Sequence, residues 1–463
     1  MTTETGITVL SRKLVGSRPA APVRQVHLGL GSFFRAHQAV YTDLAPDAES
    51  WGVAAFTGRS PELADAVSSQ DGLYTLITQA PEGNRFDVIA SVSEAHAGGD
   101  LDTWLRYLRS PETRILTLTV TEAAYRRVVG GGLAHDAADV LGDIEALRNG
   151  QPTSVRSVPG RLVAGLAARR AADAGAITVV PCDNLSNNGL AVSRVVTELA
   201  ERVDPTLAAW IVESVSFVTT MVDRITPATS AADRRSVAQH TGIGDRCPVV
   251  TEPFTEWVLH GDFPGGRPRW EQAGAEFVND VTPFEQRKLW LLNGAHSLLA
   301  YAGSIRGHST VVDAISDDLC RAWVEQWWDE STRHLKQSPA MIAAYRGALL
   351  ERFANPTMRH RLDQIAADGS QKLAMRTLPV LALERQHGRI PLGATRTLAA
   401  WVLHLRGIGA PVTDPRKDDL VSMAGGPITD AVRRVLTFLD PQVGADAAVR
   451  TAVLAQAEEL TRL

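Results

Sequence analysis

Apolar residues follow two different rhythms along this chain, and the change comes near residue 280. Before it, short apolar runs recur: VRQVHLGLG (23–31), WGVAAFTG (51–58), TRILTLTV (113–120), GAITVVPC (175–182) and VSFVTTMV (215–222). Each has the length and β-branched content of a buried strand. Between them, LVAGLAARRAADA (162–174) and SRVVTELAERV (193–203) are apolar at three- and four-residue spacing, as helices are. Strands alternating with helices predict a largely parallel, doubly wound sheet. The GGG at 130–132 and the Asn149-Gly150 pair read as surface loops. From Thr282 onward strand-like runs nearly vanish, and long amphipathic segments such as VVDAISDDLCRAWVEQWWDES (311–331) take over. The pattern therefore predicts an α/β domain over 1–277 and a mainly α-helical domain over 278–463, with no internal repeat.

Composition narrows the class. At 463 residues, 44% hydrophobic and 21% charged, the chain can bury a large core. A formal net charge of -5 gives no footprint for nucleic acid or an anionic membrane. No apolar run approaches the roughly 18 residues of a membrane span, and the polar N-terminus lacks a signal peptide's apolar core. Cys182, Cys247 and Cys320 are odd in number and far apart, with neither CxxC pairs nor His/Cys ligand spacing. That suits a reducing cytoplasm and a site without metal.

Two stretches carry candidate chemistry. Gly29-Leu30-Gly31-Ser32-Phe33-Phe34-Arg35 follows the first strand and matches the first half of G-x-G-x-x-G, with Phe34 in the third glycine's place. Such a turn brings backbone close to a pyrophosphate at a helix N-terminus, and Arg35 could add charge to that grip. Two glycines in a strand–helix turn are also common without a ligand. After the second strand, Gly58, Arg59 and Ser60 stand where an acid would select NAD, so NADP is possible as well.

The other stretch is FEQRKLWLLNGAH (284–296). Of 47 basic residues only Lys13, Lys288, Lys336, Lys372 and Lys417 are lysines. A guanidinium cannot give up its proton, whereas a desolvated ammonium can be brought into a base's range. Thr282-Pro283-Phe284-Glu285 reads as a capping box that starts a helix. On a regular helix Glu285, Lys288, Leu292, Asn293 and His296 then share an arc of about 140°. A solvated lysine and an interior histidine are the bland alternatives.

Taken together these residues resemble the mannitol dehydrogenase family, the polyol-specific long-chain dehydrogenases and reductases. The resemblance is close to full length. It rests on GLGSFFRAHQAVY (29–41), QDGLYTL (70–76), TLTVTEAAY (117–125), CDNLSNNG (182–189), TTMVDRITPAT (219–229), TEPFTEWV (251–258), the stretch 266–303 and ADGSQK (367–372). It implies a Rossmann-like N-terminal domain and zinc-independent, NAD(P)-linked interconversion of a polyol of mannitol, arabinitol or sorbitol type and its ketose. It implies Lys288 as general base, with Asn184 and Asn293 bonding the reacting oxygen. Asp223, His296 and Lys372 would position substrate. The cofactor would meet Gly29, Gly31, Phe33, Phe34, Arg35, Arg59, Thr121 and Glu122, with no metal ligand. Many members carry arginine where this chain has Gln364, so substrate preference is open at that position. The partners implied are a small polyol or ketose, not nucleic acid or membrane, for a cytoplasmic monomer or small homo-oligomer. A hexuronate (fructuronate or tagaturonate) reductase of the same family is the alternative. A non-catalytic dinucleotide sensor is disfavoured, because Lys288 and both asparagines are present.

Overall fold

The computed structural model describes residues 8–16, 19–58, 60–128, 130–358 and 360–462, and the chain divides into two units, 1–282 and 283–463. In the first unit six strands form one sheet: β1 (Val23–Leu28), β2 (Gly52–Phe56), β3 (Val92–His96), β4 (Ile115–Leu118), β5 (Ile177–Pro181) and β6 (Val215–Phe217). Their spatial order is β3-β2-β1-β4-β5-β6, and every neighbouring pair is parallel. This is the Rossmann order, with its switch point between β1 and β4. Strands β2, β4 and β5 are buried at every residue. Continuous apolar runs are what a parallel sheet covered on both faces requires.

The helix expected over 162–174 runs Val158–Ala171. Ser157 sets its start by accepting a hydrogen bond from the Gly160 N–H, with Pro159 in the first turn. A short helix, α1 (Ser32–Ala36), follows the glycine turn after β1.

The apolar run at 215–222 is not one strand, contrary to the pattern reading. After β6 the chain leaves the parallel sheet and enters β7 (Thr219–Asp223), antiparallel to β8 (Glu256–His260) in a separate sheet completed by β9 (Glu276–Phe277). Asn188 supports the change. Its side-chain oxygen accepts from the Thr220 N–H at 2.9 Å and its amide donates to the Thr220 carbonyl at 3.0 Å. One side chain thus stands in for a strand partner. A third sheet, Tyr74–Ala80, Gly83–Ile89 and Val249–Thr251, lies outside the runs picked out above.

The second unit is helical; among the described residues the last strand is β9. It opens with α2 (Thr282–Arg287), a wide turn over Lys288–Asn293, α3 (Gly294–Leu298) and a second wide turn over Leu299–Gly303. The segment 311–331 breaks in two: Val311–Ile315, then α4 (Asp318–Thr332). The cause is Asp317, whose carboxylate accepts from the Leu319 and Cys320 N–H groups and starts a new helix. Later come α5 (Gly369–Arg376) and α6 (Leu392–Leu405), the latter buried from Gly393 to its end. Among the described residues no helix is long and apolar enough to cross a membrane.

His27 ties β1 to the chain at β4. Fully buried, it bonds Thr117 Oγ1 through Nδ1 at 2.8 Å and Thr119 Oγ1 through Nε2 at 3.1 Å. Burial pulls its pKa down to about 3. A histidine free to titrate only when unfolded opposes folding in acid: its stability contribution is present above about 6.5 and lost as pH falls towards 3. Folding free energy should fall through that window by up to ~1.4 kcal/mol per pH unit on this group's account. Denaturant titrations at several pH values on wild type and His27→Gln check it. Parallel curves would remove His27 from the acid response.

Candidate active site

Gly29, Gly31, Thr121 and Glu122 lie just beyond the carboxyl ends of parallel strands, where open α/β sheets bind ligands. Gly29 ends β1 at φ +114°, and a Cβ there would lie 2.1 Å from the Thr119 carbonyl oxygen. Only glycine fits. The N–H groups of Gly29 and Leu30 both donate to the Phe56 carbonyl, at 2.9 and 2.8 Å. Thr119 Oγ1 donates to the Gly29 carbonyl at 2.9 Å, so the turn is held from β2 and from the end of β4. Gly31 is extended, and a Cβ on it would meet only the Gly29 oxygen, at 3.4 Å. Packing does not demand glycine here; close approach of a pyrophosphate would.

Phe34 is buried and stacks on His27 at 3.6 Å, so the third glycine's place is filled by a core ring. Phe33 is half-buried and stacks on His37 at 4.9 Å. Arg35 does not offer the expected phosphate contact. Its guanidinium is buried, donates to the Gly31 and Cys247 carbonyls and lies over the Tyr74 ring. It braces the turn from inside. Gly58 and Ser60 are exposed after β2, while Arg59 lies outside the described residues.

Thr121 and Glu122 are exposed just beyond β4, and Asn184 is exposed just beyond β5. Beneath them the Tyr125 hydroxyl donates to the buried Asp183 carboxylate. Burial lifts the Asp183 pKa to about 7, against the pull of that hydrogen bond. Asn188 also donates to the Asp183 carbonyl, so the side chain that supports β7 shapes the loop carrying Asn184. Asp223 ends β7 and is buried. Next to it Arg224 donates to the Ala36 and Glu252 carbonyls, while the Glu252 carboxylate accepts from the Ile225 N–H at 2.6 Å.

In the second unit the regular α-helix expected around Lys288 is replaced by a wider winding. Lys288–Asn293 is a π-helical turn, and the Gly294 N–H reaches back five residues to the Leu289 carbonyl. On an α-helix residues five apart are separated by about 140°. Where the bonds run i to i+5 they sit one turn apart, so Asn293 comes over Lys288. Lys288 is half-buried; Asn293 and His296 are buried. The His296 ring lies 4.9 Å from Phe353 and edge-on to His360 at 5.0 Å. Burial, then the positive fields of His360, Arg376, Arg352 and Lys372, holds its pKa well below the ordinary imidazole value. His296 is neutral. Lys372 Nζ donates to the Ile365 carbonyl at 3.2 Å, while Gln364, one residue earlier, is exposed.

Arg352 and Arg376 beside His296 went unremarked in the sequence, as did Asn188 and the Tyr125–Asp183 pair beside Asn184. Asp183 and Asn188 had a signal, since they flank Asn184 within CDNLSNNG. The arginines had none in a chain so rich in them. One group of possible metal ligands comes together among the described residues: His308, Asp317 and Cys320. Arg306 already donates to Asp317 there at 2.7 and 2.9 Å, which supplies the cation that carboxylate needs.

Comparison with known proteins gives the family of both units. Residues 23–272 match the mannitol dehydrogenase Rossmann domain and residues 280–440 the mannitol dehydrogenase C-terminal domain. The chain is 38% identical to D-mannonate oxidoreductase of Escherichia coli (strain K12), over 83% of its own length and 80% of that protein. It is 35% identical to mannitol 2-dehydrogenase of Aspergillus fumigatus, over 86% and 82%. The structure of Pseudomonas fluorescens mannitol 2-dehydrogenase in ternary complex with NAD and D-mannitol superposes with a TM-score of 0.82 at 32% identity, covering 98% of this chain and 94% of that one.

The two glycines of the turn should separate by substitution. Gly29→Ala drives a methyl into a carbonyl at positive φ and should destabilise the chain by ~2 kcal/mol or more. Gly31→Ala should leave stability within ~0.5 kcal/mol but weaken dinucleotide binding. Denaturant midpoints and a fluorescence titration with NAD read the two effects. Equal losses of stability in both variants would contradict the distinction.

Proposed function

The chain belongs to the mannitol dehydrogenase family, an oxidoreductase family, and on that premise we propose that it interconverts an open-chain polyol and its ketose with NAD, using Lys288 as general base. The observation that carries this reading is the π turn that sets Asn293 one turn from Lys288, on a segment that also bears the neutral His296. Oxidising a secondary alcohol means removing a hydride and a proton, and NAD, when bound, accepts the hydride. The Gly29–Gly31 turn fits that cofactor, with room beside Gly31 and exposed Thr121 and Glu122 beyond a neighbouring strand.

The chain's own residues then have the proton and the oxygen to manage. Lys288 Nζ takes the hydroxyl proton, which a guanidinium in its place could not do. The amides of Asn293 and Asn184 donate to the oxygen as negative charge develops on it. Asp223, His296 and Lys372 bond the remaining hydroxyls. Because His296 is held neutral, it can bond a hydroxyl without competing for the proton that Lys288 receives. In the reducing direction the Lys288 ammonium returns the proton to the ketose oxygen.

A second reading, a sugar acid in place of the neutral polyol, draws on one further observation. Arg352, Arg376 and Lys372 all place positive potential at His296. A carboxylate terminus needs cationic surroundings, and these residues supply them although Gln364 replaces the family's arginine. The 38% identity to a D-mannonate oxidoreductase points the same way.

Turnover should be measured by NAD(P)H absorbance against C5 and C6 polyols, the matching ketoses, aldonates and keto-uronates. Lys288→Ala should cut kcat by ~10²-fold or more while the NAD dissociation constant stays nearly unchanged. A small primary amine should restore part of the rate, and the basic limb of the pH profile should then follow the amine. Near-normal turnover in Lys288→Ala would place the base elsewhere.

A further inference from the structure

We propose that Trp327 and Trp328 are positioning residues that hold the Lys288–Asn293 turn in its π winding and so set the spacing of base and amide. The inference rests on the reading of Lys288 as the base. Both tryptophans lie on α4 and are fully buried. The Trp327 indole N–H donates to the Trp290 carbonyl at 2.7 Å, and the Trp328 indole N–H to the Leu291 carbonyl at 2.9 Å. These two consecutive carbonyls lie inside the widened turn.

In a regular helix the Trp290 carbonyl would accept from the Gly294 N–H and the Leu291 carbonyl from the Ala295 N–H. Here the Gly294 N–H has moved to Leu289, and an indole donates to Trp290 instead. An indole N–H is a donor only, and a buried one needs an acceptor. Rewinding the turn to an α-helix would set backbone donors against both indoles for the same carbonyls. The wide turn and the two indoles therefore stabilise each other. A π turn has little local preference in its favour, so outside donors decide its persistence.

The packing around Trp327 fixes where those donors stand. A Cβ on Gly294 would lie 2.6 Å from the Trp327 ring, so glycine is what lets the ring meet the turn. On the other side a Cβ on Gly393 would lie 2.8 Å from the Trp327 Cα. The neighbouring Glu330 carboxylate accepts from the Gly393 N–H at 2.9 Å and the Ala394 N–H at 3.3 Å, locking α4 to the start of α6. Trp328 reaches the site by a second route: it stacks on Phe353, which lies against His296.

The bland alternative is that both rings only fill the core. Tryptophan to phenylalanine separates the two, because it keeps an aromatic ring and removes the donor. Trp327→Phe, Trp328→Phe and the double variant should be assayed in the full chain beside Lys288→Ala. The double variant should lose at least ~10-fold in kcat, as misplacement of a catalytic group by a fraction of an ångström does. KM and the NAD dissociation constant should change less than ~3-fold, and the basic limb of the kcat–pH profile should move. A purely structural role would lower the folded fraction and leave the pH profile of the surviving enzyme where it was. That result, or unchanged kcat beside an inactive Lys288→Ala, would overturn the proposal. If the double variant does not fold, the single Trp328→Phe is read by the same criteria. Turnover surviving in Lys288→Ala would instead strike the assignment of the base.

Discussion

A backbone that leaves regular pairing must find other partners for its N–H and C=O groups, and each candidate segment of this chain depends on that constraint. At Lys288–Asn293 the partners are two indole N–H groups. At the end of β1 they are the Phe56 carbonyl and the Thr119 hydroxyl, around a glycine that nothing else could replace. Where the chain leaves the parallel sheet, the Asn188 amide takes the place of a strand. Beyond β7, Arg224 and Glu252 close the carbonyl and N–H groups of two segments. Of the proposed reacting residues Asn184 is exposed, Lys288 half-buried and Asn293 buried, while Asn188, Trp327 and Trp328, which restore the bonds, are fully buried.

Several titratable groups near these departures are kept uncharged. Burial holds His27 and His296 neutral and lifts Asp183 towards neutrality. A charge on any of them would compete with the polar network that fixes the backbone, and charge is costly in a low-dielectric interior. In the second unit Arg352, Arg376 and Lys372 bear on His296, which carries no charge of its own.

The sequence made the strands of the central sheet legible because buried parallel strands are apolar on both faces, as β2, β4 and β5 are. It concealed the split at Val218, since the apolar run continues through the change of sheet and only the side chain of Asn188 marks it. It also concealed the break before α4, where Asp317 lies inside an amphipathic pattern that survives the break. Lys288, Asn293 and His296 could be picked out as one group, but the winding between them could not. A periodicity argument assumes 3.6 residues per turn, and the donors that change the count come from elsewhere in the chain. Arg35 hid its contacts for a related reason: its place after a glycine turn suggested phosphate, whereas its guanidinium meets the Tyr74 ring and the Cys247 carbonyl, both far along the chain.

The indole bonds span 37 residues of sequence, which makes the wide turn a non-local structure. Both indole donors lie outside 282–303, so a peptide or a nascent chain ending before α4 would lack them. The spacing of Lys288 and Asn293 arrives with tertiary structure and leaves with it. On the proposed role of Lys288, partial undocking of α4 would silence turnover while helical content, and with it the far-ultraviolet dichroism, stayed almost the same. Circular dichroism would then report an intact protein that no longer turns over substrate.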